Sequence, residues 1–343
     1  MTFAAETIST FETDPPDVPV GDPTDRDAWL QQRRLLEAQS KCSTPDGLRR
    51  MARTPEPLKV AICMGLRLTG MWRRGVANGL DVQLRHLVLD LPRLPAAFDG
   101  YRILHITDLH LDAAPGVAEA IVRSVEGVEV DLCALTGDFR AAENGRFTQT
   151  DILDPLAKLR RVVRASDGFF GTLGNHDCAD MAAPLERIGV RMLLNETVRL
   201  RRGRQAIEIT GVDDVHRFYT PAAQAALDRH DRQSFGIALV HSPELAGEAA
   251  AAGYQLYLCG HTHGGQLCLP GGRPVVKHLY RHQDLSAGLW RHGELVGYTS
   301  RGAGLSSLPV RYYCSAEVTL FTLRSSPRAS SALVASPLAV RRG

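Results

Sequence analysis

Carboxylate, amide and imidazole side chains recur in five short segments of this chain, most of which also contain glycine. In chain order the segments are ITDLHLD, LTGDF, GTLGNHD, LVHSPE and LCGHTHGGQ. Each segment continues a run of apolar residues that predicts a buried β-strand. Asp, Asn and His commonly hold divalent transition-metal ions in proteins, so the pattern indicates a metal site assembled at several strand ends.

Nine candidate metal-binding side chains come from these segments. They are Asp108, His110, Asp138, Asn175, His176, Asp177, His241, His261 and His263. Asp108 and His110 are two residues apart, as are His261 and His263, and in an extended chain each pair would point to one face. Gly137 permits a tight turn that delivers Asp138, whose two carboxylate oxygens suit a position between two cations.

The elements around the five segments predict an α/β domain. Strands are expected at RILHIT, DLCALT, FFGTL, IEITG, GIALV and LYLCG, and helices at VAEAIVRSV, ILDPLAKLRRVV, PAAQAALDRH and PELAGEAAA. In open α/β sheets, ligands bind in the crevice beyond the carboxyl ends of the strands, which is where the candidate residues fall. His105 is out of phase with Asp108 along its strand, so we expect it in the core.

In this order, the motifs DLH, GD, GNHD, H and GHTH resemble the signature of the calcineurin-like metallophosphoesterases, over residues 82 to 323. Within that superfamily, LPRLPAAFDGYRILHITDLHLD, GHTHGGQ and TSRGAGLSSLPVR resemble bacterial phosphodiesterases of the YaeI and YkuE type. The resemblance implies the metallo-dependent phosphatase fold, a four-layer αββα sandwich of two mixed β-sheets flanked by helices. One departure is that Ser315 and Ala316 precede Glu317, where relatives usually have two prolines.

The resemblance also implies a role for each ligand. One divalent ion would be held by Asp108, His110, Asp138 and His263, and the other by Asp138, Asn175, His241 and His261, with Asp138 bridging. The implied reaction is hydrolysis of a phosphate ester, and we expect a phosphodiester, by in-line attack of a metal-bridging hydroxide. Mn, Fe, Zn and Ni all accept such mixed ligand sets, so the sequence leaves the metals unidentified.

Four further residues are candidates for contact with the reacting phosphate. His176 is expected to protonate the leaving-group oxygen, with Asp177 orienting its ring. Arg301 and Arg311 would either reach substrate phosphates or clamp a carboxylate such as Glu317, and the sequence leaves these two interpretations equal.

Charge supports phosphate esters as the substrates of such a centre. Two divalent ions bring four positive charges, and Asp108 and Asp138 remove two, so the centre stays cationic. A bridging hydroxide and a phosphodiester monoanion would bring the loaded site close to neutrality, which a neutral peptide or glycoside would not do.

The remainder of the chain divides into further regions. Residues 1–28 are acidic and rich in Pro and Thr, which predicts a disordered tail, and residues 325–343 predict a flexible one. Residues 29–80 predict a helical extension and residues 81–324 the phosphoesterase domain. Segment 58–72 is apolar with arginines on both sides, which leaves two interpretations: a helix on an anionic membrane surface, or a helix packed on the catalytic domain.

Composition limits the location and the partners that we expect. A formal net charge of +2 over 343 residues predicts no nucleic-acid partner. Seven cysteines without paired spacing are typical of reduced thiols, and no run of about 20 apolar residues is present. We expect a cytoplasmic protein, and in the membrane-binding interpretation one on the cytoplasmic face with a lipid-linked substrate.

Two other functions would use the same residues. A pyrophosphatase that cleaves a nucleotide-linked lipid precursor such as UDP-2,3-diacylglucosamine is known among calcineurin-like relatives and is compatible with a membrane-facing helix. A non-catalytic metal-binding scaffold would keep the fold, although such members usually lose ligands, and here Asn175, His176 and every ligand position are intact.

Overall fold

A computed structural model describes residues 24–39, 41–50, 56–142, 147–275, 278–306 and 308–326. Most of the two predicted tails, residues 1–23 and 327–343, lies outside these ranges. The strands are β1 (Lys41–Thr44), β2 (Gly47–Arg50), β3 (Gln83–Asp90), β4 (Arg102–Ile106), β5 (Glu129–Thr136), β6 (Arg164–Thr172), β7 (Val190–Met192), β8 (Glu196–Arg202), β9 (Gln205–Gly211), β10 (Phe235–Leu239), β11 (Leu256–Cys259), β12 (Cys268–Leu269), β13 (Arg273–Pro274), β14 (Gly288–His292), β15 (Leu295–Thr299) and β16 (Glu317–Arg324). The helices are α1 (Thr24–Glu37), α2 (Glu56–Leu68), α3 (Met71–Leu80), α4 (Val117–Ser124), α5 (Asp154–Val162), α6 (Ala182–Arg187), α7 (Pro221–Asp228) and α8 (Ala246–Ala252).

Two mixed six-stranded sheets form the centre of the fold. The first has the strand order β3-β16-β4-β5-β6-β7, and the second has the order β14-β15-β11-β10-β9-β8. In the first sheet β4 to β7 run parallel, while β16 is antiparallel to β4 and parallel to β3. In the second sheet β9, β10, β11 and β15 run parallel, with antiparallel β8 and β14 at the two edges.

Alternating side chains explain how the sheets stack. Along β5, Leu132 and Ala134 face the second sheet, whereas Cys133 and Leu135 face the opposite side, because successive side chains of a strand point to opposite faces. Both faces of these parallel strands are therefore apolar, which is typical of a sheet covered on both sides.

Helices cover the two outer faces. Helices α4, α5 and α6 pack on the first sheet around Ile121 and Leu156, and α7 and α8 pack on the second sheet around Leu227 and Ala249. The order of layers is helices, sheet, sheet, helices, which confirms the predicted four-layer αββα architecture. All six predicted strands and all four predicted helices are present, with ends that differ by a few residues.

The N-terminal part differs from the helical extension predicted for residues 29–80. Helix α1 already begins at Thr24, and β1 and β2 form an antiparallel hairpin before α2. The turn at Pro45, Asp46 and Gly47 has the residue types of a tight turn, and Gly47 has a φ of 105°. This local signal was overlooked because both strands are short and polar.

Sheet register places α3 at the same end of the molecule as the strand ends that carry the candidate ligands. Because β16 is antiparallel to β4, its first residues lie beside the carboxyl end of β4, and β3 begins beside Glu317. Helix α3 leads directly into β3 and therefore lies at this end of the first sheet.

Candidate metal centre

The structure gathers the predicted ligands in the crevice beyond the strand ends. Asp108 and His110 follow β4, Asp138 follows β5, Asn175 follows β6, His241 follows β10, and His261 and His263 follow β11. Two groups form, each with ligand atoms within 4.8 Å of one another: Asp108, His110 and His263, and Asp138, His241 and His261. Asn175 joins the second group, because its Oδ1 lies 3.0 Å from His241 Nε2 and 2.7 Å from His261 Nδ1.

Asp138 lies between the two groups. Its Oδ2 is 3.5 Å from Nε2 of His110 in the first group and 3.4 Å from Nε2 of His241 in the second. Its other oxygen accepts a hydrogen bond from the main-chain N–H of His176. One carboxylate oxygen is thus directed at both groups while the other is held by the backbone.

Main-chain carbonyls determine which ring nitrogen of three histidines faces the centre. His110, His241 and His261 each place their outer nitrogen 2.8 Å from a carbonyl oxygen, which must accept a hydrogen bond from that nitrogen. The carbonyls belong to Arg140, Thr136 and His278, respectively. In a neutral ring the inner nitrogen then carries the lone pair, as in many histidine metal ligands.

Those lone pairs converge with oxygens that also lack a proton. Around Asn175, the inner nitrogens of His241 and His261 both lie at hydrogen-bond distance from one amide oxygen. Burial opposes protonation of His241, but Asp138 and Asp108 raise its pKa well above the usual value, so the site holds a positive charge among these atoms, either a proton on His241 or a metal ion in its place. The mixed set of carboxylate, amide and imidazole donors fits divalent transition-metal ions.

Burial and mutual charge keep most of the donors unprotonated. Burial lowers the pKa of His110 to about 4, and it lowers the pKa values of His261 and His263 well below their usual value. Burial opposes ionisation of Asp138, but the surrounding imidazoles, His241 first, hold its pKa well below its usual value. Burial raises the pKa of the Asp108 carboxyl to about 6.

The ligands reach the centre from strained backbone and not, as predicted, from extended chain. Asp108, His110, Asp138, His261 and His263 all have φ between 40° and 73°, in the left-handed region that non-glycine residues rarely adopt. Consequently His261 and His263 do not share one face, and they contribute to different groups. Strain of this kind persists only where surrounding structure enforces it, and it is commonly found at functional sites.

Two glycines allow the loops to approach the carboxylates. A Cβ on Gly174 would lie 2.3 Å from Asp138 Oδ1, and one on Gly260 would lie 2.1 Å from Asp108 Oδ2. Any larger residue at either position would displace a carboxylate. The glycine-rich character of these segments is therefore required by packing against the donors.

His176 lies beside the centre, half-buried, but Asp177 does not orient its ring as predicted. The Nδ1 atom of His176 lies 2.6 Å from the carbonyl oxygen of Ala141, which accepts its hydrogen bond. The Asp177 carboxylate instead accepts hydrogen bonds from the main-chain N–H groups of Asp138, Phe139 and Gly174, at 2.8 to 2.9 Å. Asp177 therefore ties two ligand loops together.

The two arginines have different surroundings. Arg311 is fully buried and donates hydrogen bonds to the carbonyls of Arg301, Gly302 and Gly304, so it clamps main chain and is closed to substrate. It also lies 3.3 Å from His263 Nδ1. Arg301 is half-buried, and its guanidinium lies 3.8 Å from the Glu317 carboxylate, so it stays at the rim of the crevice.

Two arginines that the sequence analysis missed hold the GNHD loop. Arg33 of α1 is fully buried, donates to the carbonyls of Gly174 and Asp177, and forms an ion pair with Asp213. Arg140 donates to the carbonyl of His176 at 2.6 Å. Arg33 lies about 140 residues from this loop in sequence, so no local pattern could have indicated its role.

Comparisons with known proteins agree with this geometry. Residues 101–265 match the family model described as calcineurin-like phosphoesterase. This range is therefore similar to the calcineurin-like metallophosphoesterase domain, and it spans all the candidate ligands.

Three bacterial proteins are similar to this chain over most of their own length. The uncharacterized metallophosphoesterase YkuE of Bacillus subtilis is 29% identical over 242 residues, covering 68% of this chain and 82% of YkuE. The uncharacterized metallophosphoesterase YkoQ of the same organism is 28% identical over 253 residues, covering 71% and 90%. The phosphodiesterase YaeI of Escherichia coli is 29% identical over 239 residues, covering 65% and 82%.

Proposed function

We propose that this protein is a phosphodiesterase that works with two divalent metal ions. The observation that carries the proposal is Asp138, whose Oδ2 lies within 3.5 Å of an imidazole nitrogen in each ligand group. A single ion would need only one of these groups. The name of the similar YaeI protein, a phosphodiesterase, supports the choice of a diester over a monoester.

The charge of the site selects the substrate class. When bound, two ions such as Mn, Fe, Zn or Ni would activate a water molecule and neutralise charge on the phosphoryl oxygens. Asp108 and Asp138 would offset only two of the four positive charges that two divalent ions bring, so the metal-loaded site would attract a phosphate anion. Arg301 at the rim adds a guanidinium that suits a phosphate oxygen.

His176 is the residue that we propose for proton transfer to the leaving group. Because its Nδ1 hydrogen bonds to the Ala141 carbonyl, Nε2 is the atom that would hold the transferable proton. Its ring lies edge-on to His110 with centroids 4.9 Å apart, so it borders the centre without belonging to either ligand group. General acid catalysis of this kind contributes roughly 100-fold to 10,000-fold.

A second candidate is a pyrophosphatase acting on a nucleotide-linked lipid. The observation that favours it is the apolar surface of α2, where Val60, Met64 and Leu68 are exposed. A non-catalytic scaffold is not favoured, because the structure retains a complete donor set and a half-buried His176 beside it.

Turnover of two small substrates tests the proposed function. We would measure hydrolysis of bis-p-nitrophenyl phosphate and p-nitrophenyl phosphate by the full chain, by Asp138→Asn and by His176→Ala. Exposed residues provide matched controls in Asp228→Asn and His292→Ala. We expect preferential diester turnover that both site variants reduce by at least about 100-fold and both controls leave unchanged.

Other outcomes would point elsewhere. Preference for the monoester would refute the diester assignment while leaving the hydrolase intact. Absence of turnover on either substrate with any of the four metals would favour the scaffold, unless a nucleotide-linked lipid were cleaved at its pyrophosphate, which would establish the second candidate.

A further inference from the structure

Helix α2 presents an uncovered apolar face. Val60, Met64 and Leu68 are 54%, 57% and 85% exposed, and their spacing of four residues places them on one side of the helix. None of residues 57–68 is buried, although most of them are apolar. Contiguous exposed apolar residues of this kind mark an interaction surface in soluble domains.

Helix α2 is not detached from the rest of the structure, so detachment does not explain the exposure of its apolar residues. The opposite side of α2, with Ile62 and Leu66 half-buried, packs on α3. Helix α3 packs in turn on the domain at Gly75 and Gly79, where any Cβ would lie within 2.7 Å of Val310 and Leu305 side chains, respectively. The exposed stripe of α2 is therefore the outer face of two helices that are docked on the domain.

Helix α3, on which α2 packs, lies close to the metal centre. The N–H of Arg311 donates to the carbonyl of Gly75, and the hydroxyl of Tyr312 donates to the carbonyl of Met71. Arg311 is also the residue that contacts His263 and clamps the chain next to Arg301. A single residue, Arg311, thus contacts both α3 and the ligand group that contains His263.

Further exposed apolar side chains lie on segments that adjoin α3 or the GHTHGGQ loop. Tyr313 is exposed, and its carbonyl lies near Gly272 in the turn between β12 and β13. Leu269 and Val275, also exposed, flank that turn and follow the GHTHGGQ loop. We define the apolar surface as residues 60, 64, 68, 71, 269, 275 and 313.

Basic residues outnumber acidic ones on the two helices that carry most of this apolar surface. Helices α2 and α3 contain Lys59, Arg67, Arg73 and Arg74 against a single acidic residue, Glu56. The Arg67 guanidinium lies 4.7 Å from the centre of the Trp72 ring. An apolar helix face bordered by arginines and a tryptophan is the composition of helices that lie in the headgroup layer of anionic membranes.

We propose that α2 and α3 dock the protein on the surface of an anionic lipid bilayer, with the metal centre facing the headgroups. No described helix is long and apolar enough to cross the bilayer, so docking is peripheral. Together with the proposed function, this docking implies that the substrate is a phosphoester of a lipid headgroup. A protein partner would not require the excess of arginines, which suits lipid phosphates.

Vesicle co-sedimentation tests the docking. We would compare the full chain on vesicles of phosphatidylcholine alone and with about 30% phosphatidylglycerol, at roughly physiological salt. The variant Val60→Ser, Met64→Ser, Leu68→Ser removes the apolar stripe, and Leu35→Ser with Leu48→Ser, two exposed leucines outside it, provides the control. We expect the triple variant to bind at least about tenfold more weakly and the control to bind normally.

A second variant separates charge from apolar contact. Arg73→Gln with Arg74→Gln should weaken binding to anionic vesicles about fivefold per arginine and leave binding to neutral vesicles unchanged. Turnover of soluble bis-p-nitrophenyl phosphate should be equal in all variants, whereas turnover of a lipid phosphodiester in vesicles should fall in the triple variant.

The outcomes distinguish this proposal from the proposed function. Failure of the full chain to bind anionic vesicles, or equal binding by the triple variant, would overturn the docking. So would a concentration-dependent dimer that only the triple variant abolishes, since a second copy of the chain would then cover the face. Vesicle binding without turnover of any diester would leave the docking intact and refute the phosphodiesterase.

Discussion

Arg33 gives the sharpest test of how the fold supports the centre. Its guanidinium is fully buried, pairs with Asp213, and donates to the carbonyls of Gly174 and Asp177 on either side of Asn175 and His176. Arg33→Met keeps the apolar stem but leaves a buried carboxylate and two buried carbonyls without this donor. Breaking a buried ion pair by removing one partner costs about 3 to 5 kcal/mol.

The next residue of α1 supplies the matched control. Arg34 also pairs with a carboxylate, that of Asp180, but both side chains are exposed. Arg34→Met should therefore have little effect on stability, because solvent screens an exposed ion pair. In thermal unfolding we expect the melting temperature of Arg33→Met to fall by roughly 10 °C and that of Arg34→Met to change by at most a few degrees.

The functional consequence of Arg33→Met should appear in metal affinity. Because the loop that carries Asn175 loses two anchoring hydrogen bonds, we expect weaker metal binding in a titration followed by diester turnover, with turnover largely restored at excess metal. Arg33→Met behaving like Arg34→Met in both unfolding and metal titration would refute the reasoning that α1 holds this loop.

Two further predictions concern Asp177 and Glu208. If Asp177 ties ligand loops and does not orient His176, excess metal should recover much of the turnover lost in Asp177→Asn, whereas His176→Ala should stay impaired at every metal concentration; equal behaviour would favour the role predicted from sequence. Burial opposes ionisation of Glu208, but hydrogen bonds from His230 and Arg199 lower its pKa from 4.5 to about 2. A depressed carboxyl pKa stabilises the fold above pH 4.5 and loses that contribution as the pH falls to 2. Solvent near the carboxylate screens part of the interaction, so wild type should lose roughly 1 to 2 kcal/mol more than Glu208→Gln over this range in urea unfolding. Parallel loss in both proteins would contradict the assignment.

The sequence predicted the centre of the fold better than its edges. Interior strands such as β5 and β10 are continuous apolar runs because both of their faces are buried, so they could be recognised individually. Edge strand β8, ETVRLRR, alternates apolar with charged residues. It was overlooked because only one of its faces, with Val198 and Leu200, is buried, so charged residues interrupt its apolar run.

For the site, residue types were predictable and backbone conformation was not. The order of Asp, Asn and His at strand ends identified the residues that the structure gathers. At Asp108 and His261 the backbone is left-handed and its N–H groups donate hydrogen bonds to other loops, so extended-chain reasoning was wrong there. The clamps made by Arg33, Asp177 and Arg311 join segments distant in sequence or act through main chain, so side-chain patterns carried no information on them.

Metal content measured together with turnover tests the central claim most directly. We would determine metal per chain by elemental mass spectrometry for the reconstituted full chain, for His110→Ala from one ligand group and for His241→Ala from the other. The account predicts two metal ions per chain in the full chain, about one in each variant, and diester turnover that needs both. One metal ion or none in a fully active protein, or full turnover after chelation, would contradict it.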